Sequence, residues 1–208
     1  SHHRVMLVEV MGRDTGWIAL HGGLAGGAEV VLLPEIPYDP KRIATKVKAR
    51  IEHGRNYSIV VVSEGARRPK GAMVYRQGGD EGHLVDRLGG VSYRVAEELR
   101  KHVDLEVRNI VLGHTQRGGS PSPLDRTLAS LMGNHAVTLA AKGQFGRMVA
   151  LKSSGMNSVA LSTAARGPRK VTPRGRLVRA AREMGISFAA ADGTDDPFTS
   201  ARRAHGAP

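Results

Sequence analysis

No cysteine occurs among the 208 residues, which excludes disulfides, thiol catalysis and cysteine-held metal. Aromatic residues make up only 4% of the chain, and Trp17, Tyr38, Tyr57, Tyr75, Tyr93, Phe145, Phe188 and Phe198 are scattered instead of interleaved with cations. A stacking platform for nucleic acid is therefore not expected. No run of about 18 apolar residues occurs, so no membrane-spanning helix is expected. Ser1-His2-His3-Arg4 carries no secretory-type apolar segment before the first strand-like run. These absences lead to the expectation of a cytoplasmic protein whose partners include neither nucleic acid nor membrane.

Chemical motifs are missing as well. No Gly-x-Gly-x-x-Gly follows a strand-like run, and Gly65 to Gly71 has its Lys before the second Gly, so neither a dinucleotide fingerprint nor a P-loop is present. The nine His residues include no His-Glu-x-x-His and no pair on a helix face, and no Gly-x-Ser-x-Gly elbow exists. No metal ligand is assigned within the chain. Acids are also few. Asp and Glu number 19 against 31 Lys and Arg, a net charge of +12, which favours polyanions or phosphorylated metabolites as partners. From Arg166 to Pro208 nine Lys and Arg face four acids, a cationic stretch read as solvated surface.

Runs rich in Val, Ile and Leu at Arg4–Val10, Glu29–Pro34, Ser58–Ser63 and Glu106–Leu112 read as strands buried on both faces. Helical stretches at Trp17–Leu24, Pro40–His53, Ser92–His102 and Pro123–Ala141 alternate with them. The last is delimited by Ser122 as N-cap, Pro123 at the first helical position, Asp125 three residues after the cap and Gly143 beyond the end. Arg147–Lys152 and Ser158–Ser162 suggest a short strand pair, and Arg174–Met184 a final helix before Gly185. The order predicts an α/β fold: a doubly wound, mostly parallel sheet with helices on both faces. Residues 189–208 lose apolar periodicity and are expected to form a mobile tail. A central-looking strand that begins at residue 4, without an initiator Met, gives the expectation of the later portion of a longer protein.

In such a sheet ligands bind beyond the carboxyl ends of the strands. Three loops stand there: Met11-Gly12-Arg13-Asp14, Glu64-Gly65-Ala66-Arg67-Arg68, and Gly113-His114-Thr115-Gln116-Arg117-Gly118-Gly119. Each sets Gly beside Arg. Glycine lets backbone N–H groups approach an anion, and guanidinium grips phosphate with two donors. A convergent phosphate site is the expectation. Glu64 either accepts from sugar hydroxyls or pairs with a nearby Arg. His114 either donates to a phosphoryl oxygen or is a core histidine bonded to backbone.

Val8-Glu9-Val10-Met11-Gly12-Arg13 with Thr15-Gly16-Trp17, and Leu112-Gly113-His114-Thr115-Gln116-Arg117-Gly118-Gly119-Ser120-Pro121 with Asp125-Arg126, closely resemble signature segments of the 6-phosphofructokinases. Val171-Thr172-Pro173, Leu177–Arg182 and Gly185–Phe188 resemble the close of the mixed-substrate branch, which contains ATP- and pyrophosphate-dependent enzymes. The resemblance covers about residues 4–188. It implies a glycolytic transfer of phosphoryl from ATP or pyrophosphate to the 1-hydroxyl of fructose 6-phosphate, with Mg²⁺ accompanying the donor, in a homo-oligomer (dimer or tetramer). It implies that Met11, Gly12, Arg13, Glu64, His114 and Arg117 line the sugar-phosphate site, with Arg13 also stabilising the transferred group. Arg4 and Arg108 match positions that reach the sugar phosphate across a subunit interface. Glu29 and Arg55 match an effector site of some bacterial relatives. Asp14 stands where the family more often has His, Tyr or Cys. The family's Gly-Gly-Asp donor loop and Asp-bearing catalytic segment are not found in this chain, so it is expected to be inactive alone. The competing expectation is a truncated, non-catalytic paralogue that binds sugar phosphates.

Overall fold

The computed structural model describes residues 3–69, 75–76, 87–88 and 90–195. The chain divides into two compact units, one from residues 1–116 with 170–208 and one from residues 117–169.

The first unit is built on four parallel strands, β1 (Arg4–Val10), β2 (Val30–Leu32), β3 (Tyr57–Ser63) and a fourth at Glu106–Val111, here β6, in the order β2-β3-β1-β6. Two-residue strands β4 (Tyr75–Arg76) and β5 (Arg87–Leu88) pair antiparallel with each other. Register is continuous along β1, with Arg4 opposite Tyr57 and Glu106, and Glu9 opposite Val62 and Val111. Alternation along the strands sends one set of side chains to each face. Val5, Leu7, Val30, Leu32, Val60, Val62 and Val107 pack with Ile43, Ala44 and Val47 of α2 (Pro40–Glu52) and with Val91, Val95, Ala96 and Leu99 of α3 (Val91–Arg100). Val10, Val31 and Val61 pack with Ala19 and Leu20 of α1 (Trp17–Ala25). On that face they also meet Val178 and Ala181 of the last helix of the chain, α6 (Arg176–Glu183). The doubly wound α/β class expected from the sequence is thus the class observed.

α2 starts where Pro40 follows the Asp39 cap, whose carboxylate accepts from the Lys41 N–H at 2.9 Å. β6 departs from expectation. Read as buried on both faces, it is the edge strand of this sheet and leaves Ile110 44% and Val111 39% exposed. Residues 189–195 depart too. Instead of beginning a tail, Ala189 and Ala190 are buried, with Asp39 N–H donating to the Ala189 carbonyl at 2.8 Å and Ala190 N–H to Asp195 Oδ2 at 3.0 Å. Two small alanines fill core positions without apolar periodicity, which is why the pattern failed to reveal them. The rest of the expected tail, 196–208, lies outside the described residues.

The second unit holds α4 (Pro123–Ala141), the antiparallel pair β7 (Arg147–Lys152) and β8 (Gly155–Ala160), and a short helix α5 (Leu161–Ala164). α4 has the bounds its signals predict. Ser122 Oγ accepts from Asp125 N–H at 3.2 Å while the Asp125 carboxylate accepts from Ser122 N–H at 2.8 Å, a closed capping box. These contacts, the Ser122 hydroxyl foremost, hold the Asp125 carboxyl below the usual carboxylate range.

Candidate functional site

β1 and β3 lie side by side, yet the chain leaving β1 enters α1 on one face and the chain leaving β3 leads to α3 on the other. Connections that part in this way leave a crevice beyond the carboxyl ends of the two strands, and loops gather there. Glu64 N–H donates to the Val10 carbonyl at 3.0 Å and Gly65 N–H to the Gly12 carbonyl at 3.1 Å. The Ser63 hydroxyl adds a bond to the same Gly12 carbonyl at 2.6 Å. Gly12 N–H donates to Glu64 Oε1 at 3.1 Å. Gly12 adopts φ +143°, and a Cβ there would meet Ser63 Oγ at 2.5 Å and the Thr15 carbonyl at 2.7 Å, so this position tolerates only glycine.

The third loop joins at the other side of β1. Residues Gly113–Arg117 form a 3-10 turn, and Gln116 Oε1 accepts from Met11 N–H at 2.7 Å. Leu112 N–H donates to the Glu9 carbonyl at 3.0 Å, carrying the strand pairing up to the turn. Met11, Gly12, Arg13 and Glu64 therefore stand on bonded neighbouring loops, with His114 two residues from the Gln116 tie. His114 is exposed, which removes the core-histidine alternative. Glu64 forms no ion pair among the described residues; its partner is the Gly12 backbone, and its second carboxylate oxygen makes no hydrogen bond there. Arg13 is exposed at the tip of its loop. Arg117 closes the 3-10 turn and opens the second unit.

Four sequence-derived residues lie elsewhere: Arg4, Glu29 and Arg55 at the amino ends of strands, and Arg108 in the first half of β6. Arg4 opens β1 and Arg108 lies in β6 opposite Met6, and both engage Glu106, at 3.6 and 2.7 Å. A seven-residue strand places Arg4 roughly 20 Å from the loops just described. Glu29 precedes β2, where Arg50 Nη2 meets its Oε1 at 2.7 Å and Ile59 N–H donates to its Oε2 at 2.6 Å. Arg55 precedes β3 at the same edge and is exposed. Glu29 is held by Arg50, with no bond to Arg55.

Three supporting residues escaped the sequence reading. Glu9, 2% exposed, accepts from Gly90 N–H at 2.8 Å, Ser92 N–H at 2.9 Å and Ser92 Oγ at 2.7 Å, so its carboxylate caps α3. Glu35 accepts from Gly16 N–H at 3.1 Å and Val171 N–H at 2.8 Å, fixing the start of α1 just after Arg13. Gln116 ties two loops. A lone acid within the Val8-Glu9-Val10 run was the available signal, because a buried carboxylate requires partners. Beside these loops, Asp14, Glu35, Arg67 and Lys170 line a cleft of about 480 Å³. Among the described residues no group of three or more His, Asp or Glu side chains gathers to hold a metal ion, and none of their helices is long and apolar enough to cross a membrane.

A doubly wound parallel sheet with cation-bearing glycine loops at adjoining carboxyl ends defines the class as α/β. The family model described as Phosphofructokinase matches residues 1–140, and the chain belongs to that family. It is 51% identical over 188 residues to an ATP-dependent 6-phosphofructokinase of Chloroflexus aurantiacus, covering 90% of this chain and 51% of that protein. The chain thus spans about half the length of the curated relatives it matches. A crystal structure of Pichia pastoris phosphofructokinase in the T-state superposes with TM-score 0.64 and 30% identity, covering 80% of this chain and 18% of that one. The pyrophosphate-dependent phosphofructokinase of Marinobacter aquaeolei shares the fold at TM-score 0.66 and 24% identity, over 95% of this chain and 47% of the other.

Proposed function

We propose that this chain is the fructose 6-phosphate-binding portion of a glycolytic 6-phosphofructokinase that uses ATP. The observation that carries this reading is the bonded cluster of loops in which Glu64 holds Gly12 N–H and Gln116 holds Met11 N–H. ATP is favoured over pyrophosphate because the relative at 51% identity is named ATP-dependent, whereas two pyrophosphate-dependent structural neighbours share 24% and 28%.

In this proposal Glu64 accepts from sugar hydroxyls through its second oxygen, and His114 and Arg117 bind the 6-phosphate. Arg4 and Arg108, at the opposite edge, serve the site of a neighbouring subunit in a homo-oligomer. The 1-hydroxyl oxygen of the sugar bonds to the terminal phosphorus of the donor as the bond to the leaving phosphate oxygen breaks, and ADP departs. Phosphoryl transfer depends chiefly on positioning and charge neutralisation, and Arg13 supplies a cation for the equatorial oxygens. The base that takes the hydroxyl proton and the residues that hold donor and Mg²⁺ belong to the half of the relatives that this chain does not span. No step runs through a metal held by this chain.

The test is a coupled assay for fructose 1,6-bisphosphate with the full-length protein, given ATP or pyrophosphate in turn. Turnover with ATP, and none from the 208-residue segment alone, is expected. Robust turnover by the segment, or binding of fructose 6-phosphate by neither protein, would overturn the reading.

A further inference from the structure

Within the first unit a second concentration of positive charge stands away from the carboxyl-edge loops. Lys41, Arg42 and Lys46 of α2 line a cleft of about 650 Å³ whose opposite wall includes Arg182, Ser187 and Asp195. Ser187 bridges Val30 in parallel fashion, which puts the cleft at the β2 edge of the sheet, and β3 separates β2 from β1.

Several other cations of the same unit are held by carboxylates. Arg50 of α2 holds Glu29 at 2.7 Å, and Arg68 and Arg94 share Glu98 at 3.0 and 3.9 Å. Among the described residues Lys41, Arg42 and Lys46 form no ion pair. Each of the two carboxylates of the lining has one oxygen engaged by hydrogen bonds. Asp39 caps α2 through Lys41 N–H, and Asp195 Oδ2 accepts from Ser187 Oγ at 2.7 Å and Ala190 N–H at 3.0 Å.

Arg182 supplies an independent observation. It is 8% exposed, and its Nη1 donates to the Pro173 carbonyl at 2.9 Å. Its Nη2 donates to Thr194 Oγ1 at 3.4 Å, and its Nε forms an ion pair with Asp195 Oδ1 at 3.6 Å that is too long for a hydrogen bond, so Nε and Oδ1, both buried, lack one. Three cations without an ion pair, lining one cleft beside a guanidinium whose buried Nε–H lacks a hydrogen bond, describe a site that an anion would complete. The volume falls in the range of about 300–1,000 Å³ typical of small-molecule sites, larger than bare phosphate requires. Arginine offers paired donors to phosphoryl oxygens and lysine a compact charge.

We propose that the cleft between α2 and the segment following α6 binds a phosphoryl-bearing small metabolite, at a site separate from the carboxyl-edge loops and independent of the function proposed for them. The probe is inorganic phosphate, titrated into the ¹⁵N-labelled 208-residue chain against sodium chloride of matched ionic strength. Saturable shifts are expected at the amides of residues 41–46 and 185–187, unaffected by Arg13→Ala. The double variant Arg42→Gln, Lys46→Gln, which alters one exposed and one half-buried side chain, is expected to weaken them at least about tenfold. Shifts confined to residues 11–13, 64–65 and 113–116, shifts that chloride reproduces, or no saturable shift would each overturn the proposal.

Discussion

Replacing Gly65 by alanine probes the contact between the first two loops of the candidate site. A Cβ on Gly65 would stand 1.8 Å from the Arg13 carbonyl oxygen, 2.7 Å from its carbon and 2.9 Å from the Gly12 carbonyl oxygen. Real Cβ contacts essentially never fall below 3.0 Å, so the Arg13 backbone must move by more than 1 Å relative to Gly65. Backbone atoms cannot swing aside as a flexible side chain does. The displacement also threatens the 3.1 Å bond from Gly65 N–H to the Gly12 carbonyl. A misplacement of about 1 Å in a positioning group costs about 100-fold in rate, and overpacking of this kind costs about 1–3 kcal/mol of stability. The expected outcome for Gly65→Ala in the full-length protein is a fall of about 100-fold in kcat/KM for fructose 6-phosphate. Its circular-dichroism spectrum should be retained, with a drop in Tm of roughly 2–4 °C for each kcal/mol lost. Gly22→Ala is the control. Gly22 lies in α1 with nothing within 4 Å of an added Cβ, and alanine there should stabilise by about 0.5–1 kcal/mol and leave turnover unchanged. Wild-type kcat/KM for Gly65→Ala in a folded protein would refute the claim that these loops form the site.

Glu9→Gln replaces a buried carboxylate that accepts three hydrogen bonds at the start of α3, and is expected to cost about 2–3 kcal/mol in urea unfolding. Tyr38 is 1% exposed, and burial, reinforced by the Glu98 charge, pushes its hydroxyl up to about 12. Its neutral form is favoured by folding, so that contribution is full below the ordinary tyrosine value of about 10 and is lost as pH rises through the folded value. Absorbance titration should show one tyrosine ionising near 12, a step that Tyr38→Phe abolishes. Asp125 has the opposite sign: with its carboxyl held low by Ser122, its contribution is present above about pH 4 and is lost as pH falls through the lower folded value. Hydrogen exchange at the start of α4 should therefore accelerate below that pH, and should accelerate at neutral pH in Ser122→Ala, which costs about 1 kcal/mol.

Where local chemistry alone dictates an element, the sequence was sufficient to find it. α4 has its expected bounds, Pro123–Ala141, because the Ser122–Asp125 box and the proline act within one turn. The β-rich runs and their order gave the parallel sheet. β6 was misread because its Val and Ile do not tell a central strand from an edge strand, and its polar Glu106, Arg108 and Asn109, which suit an edge, were passed over. Ala189 and Ala190 were missed because small core residues carry little hydrophobic signal. Among the candidate residues, Gly12, Arg13 and Arg117 stood out as glycine and cation at strand ends, Glu64 and His114 as polar groups in the same loops, and Met11 entered only through the family resemblance. The division of the remaining residues between two edges of the sheet follows from strand direction: Arg4 opens its strand and Glu29 precedes its own, whereas Arg13 and Glu64 follow theirs. Glu9, Glu35 and Gln116 were illegible as supports because their bonds reach partners 83, 136 and 105 residues away in the chain.

The most direct measurement is a crystal structure of the full-length protein with fructose 6-phosphate bound. The sugar is expected within hydrogen-bond distance of Glu64, with its phosphate at His114 and Arg117 and Arg13 free to face a donor. A sugar phosphate seated instead at the amino edge beside Glu29 and Arg55, or in the cleft of α2, with the loops at Gly12 and Gly65 empty, would contradict the account.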